Sequence, residues 1–209
     1  MFNTIVNPLL LNRLYTHPEL YSEQTHQQFT ITNVDWSLYK SLLTDLGDDF
    51  AGLRVYYLDG KLELIMPSRQ HEIIKDNIGR LLGIYLEENR IRFYGLGSTT
   101  FKNEAQQRGA EPDVSFCIDN NKTLPDIAIE VVLTSGGIDK LDIYRGLGVA
   151  EVWFWQDNRF SIYQLQTQGY ELLECSHFLP NLDLNLLATY VNYTEPLEAM
   201  LDYRQALQN

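Results

Sequence analysis

The chain has 209 residues, 44% hydrophobic, 21% charged and 12% aromatic, which is ordinary globular composition and excludes a disordered chain or one that needs a disulfide or metal framework to fold. It has no apolar run of membrane-spanning length, and MFNTIVNPLLLNRLY lacks the basic region and cleavage site of a secretory signal, so a cytoplasmic protein without a membrane partner is expected, with Cys117 and Cys175 as reduced thiols. The net charge of −12 opposes nonspecific attraction to nucleic acid: residues 61–110, with 8 basic and 6 acidic side chains, are locally basic, whereas residues 111–209 hold 5 and 15. That acid either solvates the surface or gathers around a divalent cation.

Residues 1–30 have weak periodicity and read as an arm. Thr32 and Asp35 resemble a capping box for a helix whose stripe is Trp36, Tyr39, Leu43 and Leu46, ending at Gly47. LRVYYL and KLELIM flank Asp59-Gly60, the pair that suits a type I′ hairpin turn. After Pro67-Ser68, the spacing of Ile74, Ile78, Leu81, Leu82 and Tyr85 predicts an amphipathic helix over about 69–89. IRFYGLG, STTFKN, PDVSFCI (112–118) and PDIAIEVV (125–132) read as strands. GGIDKLDIYRGLG reads as a short helix with Leu141 and Tyr144 on one face and Gly146 or Gly148 at its end. EVWFWQ and RFSIYQL, joined by Asp157-Asn158, form a further strand pair, and the tail from about 180 has helical spacing. Without repeats or linkers, 1–209 is expected to be a single domain of α/β (α+β) class: a central mixed sheet flanked by helices, with a core over about 50–165, extended by the N-terminal helix and hairpin and closed by a helical tail at 180–209.

Familiar catalytic motifs are missing. His17, His26, His71 and His177 are scattered without ligand spacing, and GxSxG, GxxxxGK[ST] and a post-strand GxGxxG do not occur. What stands out is acid inside apolar strands. Alternation in DIAIEVV puts Glu130 in the middle of a buried strand, where a carboxylate needs a cation, a proton or several donors; the alternative is an arginine partner or a solvent groove. Asp113 opens another apolar strand directly after Pro112, with a simple turn aspartate as its alternative. The 17-residue spacing lets two antiparallel strands bring both carboxylates to one sheet end, a donor set that suits Mg²⁺ or Mn²⁺. Lys140, in the first turn of the next helix, faces the positive end of the dipole, which points to an external anion; otherwise it is a solvated lysine beside Asp139.

Taken together and in this order, DGKLELIMPSRQHE, EPDVSF, PDIAIEVV and KLDIYRGLGVAEVWFW resemble the PD-(D/E)XK nuclease superfamily, and more narrowly a large bacterial family of restriction-endonuclease-like proteins, over roughly 50–165. The resemblance implies a restriction-endonuclease-like αβββαβ core, Asp113 and Glu130 as metal ligands, Lys140 as the catalytic lysine, Mg²⁺ or Mn²⁺ as cofactor and DNA as substrate. The superfamily's lysine usually follows the acid by two positions on the same strand; that position is Val132 here, so Lys140 has to reach back from its helix. Glu63, as a third carboxylate, and His71, near phosphate, also match family positions, against a polar strand face and a helix cap as their alternatives. The implied function is a metal-dependent endonuclease. A non-catalytic module on the same scaffold is the alternative that the acidic total and the missing strand lysine favour. A homodimer fits either reading, because double-strand cleavage needs two sites and because Trp153, Phe154 and Trp155 can leave an aromatic face exposed; the alternative for these rings is that they fill the core.

Overall fold

A computed structural model describes residues 27–47, 52–133 and 137–208. In chain order the elements are β1 (Gln27–Thr32), α1 (Trp36–Leu46), β2 (Arg54–Leu58), β3 (Lys61–Met66), α2 (Arg69–Glu88), β4 (Phe93–Gly95), β5 (Phe101–Asn103), β6 (Arg108–Ala110), β7 (Val114–Ile118), β8 (Ile127–Val131), α3 (Lys140–Leu147), β9 (Glu151–Gln156), β10 (Arg159–Gln166), β11 (Gly169–Leu173), α4 (Leu184–Val191) and α5 (Pro196–Ala206).

Two sheets result. One is antiparallel throughout, in the order β1-β3-β2-β6-β5; the other runs β11-β10-β9-β8-β7-β4 and is mixed, because β8 and β9 pair in parallel. A parallel pair needs a crossover, and α3 supplies it. The hairpin lies at the centre of its own sheet, and with α1 it extends the fold beyond the mixed sheet. Its turn is as expected: Asp59 and Gly60 have φ of 44° and 83°, the positive pair that a type I′ turn requires.

One face of the mixed sheet, with Ile127, Ile129, Val131, Trp153 and Trp155, packs on α2, α4 and α5. The other face, with Ala128 and Val152, packs on Tyr56 of β2 and on Ile143, Tyr144 and Leu147 of α3. Strands covered on both sides read as continuous apolar runs, which is how β7 and β8 read. A third cluster joins Trp36, Tyr39 and Leu42 of α1 to Val55, Tyr57 and Leu62 of the antiparallel sheet. Each fully buried aliphatic side chain in these layers contributes roughly 1.5–3 kcal/mol of transfer free energy.

Some expectations are corrected. Residues 27–30 of the expected arm belong to β1, which pairs with β3, while residues 1–26 lie outside the described residues. Thr32 ends β1; Asp35 is itself the N-cap of α1, its carboxylate accepting from the Leu38 amide at 2.8 Å, and Leu42 joins the expected stripe as a buried residue, with Leu43 partly buried against the same cluster. Trp153 and Trp155 fill the core, and Phe154 is half-buried on the opposite face of β9, so the three rings do not form one exposed aromatic face. Among the described residues, no helix is long and apolar enough to cross a membrane.

Candidate active site

Strands β7 and β8 are antiparallel neighbours joined by a short connection, so the start of one lies beside the end of the other. One step beyond the Val114–Ile129 pair, Asp113 stands opposite Glu130 on the same face of the sheet, and its amide donates to the Ile129 carbonyl at 3.1 Å. The Asp113 carboxylate turns back on the next strand, Oδ2 accepting from the Val131 amide at 2.8 Å. From β8 the chain passes into α3, whose N-cap is Asp139, and Lys140 is the first helical residue. Its ammonium reaches Glu130 Oε2 at 2.7 Å, so the lysine that the strand lacks at Val132 is brought to the carboxylate by the helix.

Glu130 is fully buried and accepts from three side chains. Tyr56 Oη lies 2.8 Å from Oε2 and 3.1 Å from Oε1, Tyr144 Oη donates to Oε1, and Lys140 completes the set. Lys140 Nζ also sits 4.2 Å from the centroid of the Tyr56 ring, a cation–π contact that fixes the ammonium between ring and carboxylate. Burial pushes Glu130 above the usual carboxylate range, and the charge of Asp113 adds to this against Lys140 and Tyr144. Burial also raises Asp113, but the hydrogen bond and charge of His71, with the charge of Lys140, outweigh it and leave Asp113 below its ordinary value. Two adjacent carboxyls are thus driven apart, one as a firm anion and one closer to taking a proton.

Around Asp113 lies a network in which the sequence pointed only to His71. Ser68 caps α2 and accepts from the His71 amide at 3.2 Å, so the imidazole is left for other work: Nε2 is 3.2 Å from Asp113 Oδ2 and Nδ1 is 3.3 Å from Glu72 Oε1. Burial lowers the His71 pKa, but the hydrogen bonds to Asp113 and Glu72 overcome this and raise it to about 9, so both ring nitrogens donate at neutral pH. Arg54, 3% exposed, bonds Glu111 at 2.9 Å and stands 3.6 Å from Asp113 Oδ1 and 3.8 Å from Glu72 Oε1. Sequence reasoning missed Arg54, Tyr56 and Tyr144. The one available signal was a charged residue, Arg54, opening an otherwise apolar strand on the same face as Tyr56.

Glu63 is buried opposite Tyr56 on β3, and Oε1 accepts from Gln28 Nε2 at 2.7 Å and from the Ile138 amide at 3.0 Å. It fixes the approach to α3. Among the described residues, no hydrogen bond or ion pair joins it to Asp113 or Glu130, and Oε2 is buried without a hydrogen-bond partner. A cavity of about 340 Å³ opens on Arg54, Tyr56, His71, Asp113 and Lys140, with Glu130 behind Tyr56 and Lys140.

A family model, Uma2, described as a putative restriction endonuclease, matches residues 36–193. The chain belongs to the Uma2 family. The matched span runs from the start of α1 to just past α4 and includes Arg54, Tyr56, His71, Asp113, Glu130, Lys140 and Tyr144. No curated protein matches the chain. The two sheets with helices packed against them agree with the restriction-endonuclease-like α+β fold of the Uma2 family.

That fold family generally works with divalent metals. Among the described residues, no group of three or more His, Cys, Asp and Glu side chains forms a metal cluster. The two facing carboxylates are nonetheless hard oxygen donors, and Mg²⁺ needs only one or two from a protein because it keeps several waters. Three donors make four contacts with Glu130, two on each oxygen, and a carboxylate offers about four lone-pair sites, so the donor set fits a hard cation when Lys140 or His71 yields part of its hold.

Proposed function

We propose that the chain is a metal-dependent endonuclease that hydrolyses phosphodiester bonds in DNA, with Asp113 and Glu130 holding a divalent cation, Mg²⁺ or Mn²⁺, and Lys140 acting on the phosphate. The observation that carries this reading is the facing pair of carboxylates at the end of β7 and β8, with the Lys140 ammonium 2.7 Å from Glu130 at a cavity that Asp113 lines. When bound, the cation supplies Lewis-acid polarisation of the phosphate and lowers the pKa of an attacking water.

The chain's own groups supply the rest. Lys140 offsets the charge that develops on the phosphate oxygens, a role typically worth about 10²–10³ in rate for one preorganised donor. Arg54 and protonated His71 hold Asp113 anionic and keep its oxygens oriented along the strand. Glu63 fixes the loop that leads into Lys140 and lies outside the chemistry on this reading.

A second reading, a nuclease scaffold without catalysis, draws support from the three donors that already occupy Glu130. Plasmid relaxation and linearisation with Mg²⁺ or Mn²⁺ separates the two. For the enzyme, Asp113→Asn, Glu130→Gln and Lys140→Met each cut at least about 100-fold more slowly than wild type, with unchanged circular dichroism. Cleavage that survives all three substitutions rejects this site. Wild-type chain that leaves both plasmid and single-stranded DNA intact with either ion supports the scaffold.

A further inference from the structure

The face that carries Asp113 and Glu130 continues across the mixed sheet into a region of different chemistry. In register, Glu130 stands beside Phe154 and Phe154 beside Ser161, so one row over β8, β9 and β10 passes from carboxylate to phenyl to hydroxyl, at strand spacings of about 4.8 Å. Alternation along the strands adds Gln156 and Tyr163 to the same face. Phe154, Gln156, Ser161 and Tyr163 all line the 340 Å³ cavity, as do Arg54, His71 and Lys140. The Phe154 and Tyr163 rings meet edge to face, with centroids 5.7 Å apart. The side chains of Gln156 and Ser161 have no hydrogen-bond partner among the described residues.

One wall is therefore charged, and the other is aromatic and uncharged with an open amide and an open hydroxyl. A nucleotide is divided in the same way, between a phosphate and a flat ring whose edge both donates and accepts. A base inside a duplex is stacked on both faces and paired along that edge, so it cannot use such a wall; an unpaired base can. The volume is at the small end for ligand pockets, which suits one nucleotide. The net charge of −12 opposes nonspecific attraction to a duplex backbone.

Resting on the nuclease reading above, the geometry points to a nucleobase subsite formed by Phe154, Gln156, Ser161 and Tyr163, which takes an unpaired base of single-stranded or locally opened DNA beside the phosphate on which Lys140 acts. Stacking on the aromatic pair supplies sequence-tolerant affinity, and the Gln156 amide and Ser161 hydroxyl read the base edge.

The test is fluorescence anisotropy of the full chain with a labelled single-stranded oligodeoxynucleotide, its duplex and the RNA of the same sequence, with Ca²⁺ as the ion. Single-stranded DNA is expected to bind at least about tenfold more tightly than duplex, and Tyr163→Ala to lose about tenfold of that affinity. Tyr163→Phe keeps the ring and most of the binding, and Gln156→Ala, at an exposed position, weakens binding without touching the core. Duplex or RNA bound as tightly as single-stranded DNA, no binding of the single strand by wild type, or unchanged affinity in Tyr163→Ala each overturn the subsite. A chain that cuts duplex plasmid through Lys140 but shows no single-strand preference keeps the nuclease reading and loses the subsite. One that binds the single strand through Tyr163 and never cuts loses only the nuclease reading.

Discussion

The ammonium of Lys140, the first residue of α3, lies 2.7 Å from Oε2 of Glu130, a carboxylate that solvent does not reach. The crossover between two parallel strands thus carries the counter-charge for the strand it leaves. Breaking a buried pair by removing one partner costs about 3–5 kcal/mol, because the other charge is stranded. Here Tyr56 and Tyr144 still donate to Glu130, and its raised pKa eases protonation, so Lys140→Met is expected to lose roughly 2–3 kcal/mol in urea unfolding. Lys140→Met combined with Glu130→Gln should recover roughly half of that or more, and strictly additive losses would contradict the coupling.

Tyr144→Phe removes a buried hydroxyl that donates to Glu130 Oε1, and a hydrogen bond to a charged group is worth about 1.5–3 kcal/mol. The bond favours the anion, so its loss moves the Glu130 pKa further up. If Glu130 acts as an anion in cleavage, the acid limb of the pH–rate profile shifts to higher pH by about one unit, the equivalent of 1.4 kcal/mol. A profile that falls in height without moving would give Tyr144 a packing role alone.

How much of this was legible follows from the range of the contacts. Asp113 and Glu130 interrupt apolar alternation on strands joined by a short connection, so local pattern and antiparallel pairing suffice to set them face to face. Arg54, Tyr56 and Tyr144 were not legible as site residues. Tyrosine on an apolar face is ordinary core composition, and Tyr56 meets Glu130 across 74 positions of sequence because two separate sheets pack together. Periodicity specifies a strand, not the sheet it joins, so the division of the strands into two sheets is not legible in the sequence. β6, only three residues long, offered too little pattern, and β1 reads as an arm because QQFTIT at the sheet edge buries none of its residues fully.

His71 and Glu72 set opposite limbs of a stability profile. His71 is raised from its ordinary 6.5 to about 9, so its contribution is full below pH 6.5 and is lost as pH rises through 9. Burial raises Glu72, but His71, Lys75 and Arg54 bring it down to about 2 from 4.5, so its contribution is full above pH 4.5 and is lost as pH falls through 2. Glu72 is half-exposed and its share is screened. The melting temperature of the metal-free chain should therefore fall between pH 6.5 and 9, and His71→Gln should flatten that decline. An unchanged slope in the variant would show that the imidazole does not carry it.

Gly137 has φ of +106°, and a Cβ there would run into Glu63 Oε1 and Gln28 Nε2. Gly137→Ala is strained by its backbone and also displaces the pair that anchors the Ile138 amide, two residues before Lys140. A loss of roughly 1–3 kcal/mol is expected from the strained backbone position. On the nuclease reading, cleavage should fall more than in Gly148→Ala, a helix-capping glycine whose added Cβ meets no atom within 4 Å but shares the backbone strain at φ +84°. Equal losses in the two variants would leave the loop before α3 without influence on the site.

Lys140 and a bound cation compete for the same Glu130 oxygens, which gives metal binding and cleavage opposite signs in one variant. Saturating Mg²⁺, at about 100 times its dissociation constant, should stabilise wild type by about 2.7 kcal/mol. For a chain of this size that is about 5–10 °C in Tm, and Asp113→Asn should abolish the shift. Removing the ammonium in Lys140→Met frees a lone pair of Glu130, so Mg²⁺ should bind that variant more tightly while plasmid cleavage is lost. Below the raised pKa of Glu130 protons displace the ion, and the stabilisation by Mg²⁺ should shrink as pH falls. Weaker Mg²⁺ binding in Lys140→Met, measured by titration calorimetry, would mean that the ammonium supports the ion instead of excluding it.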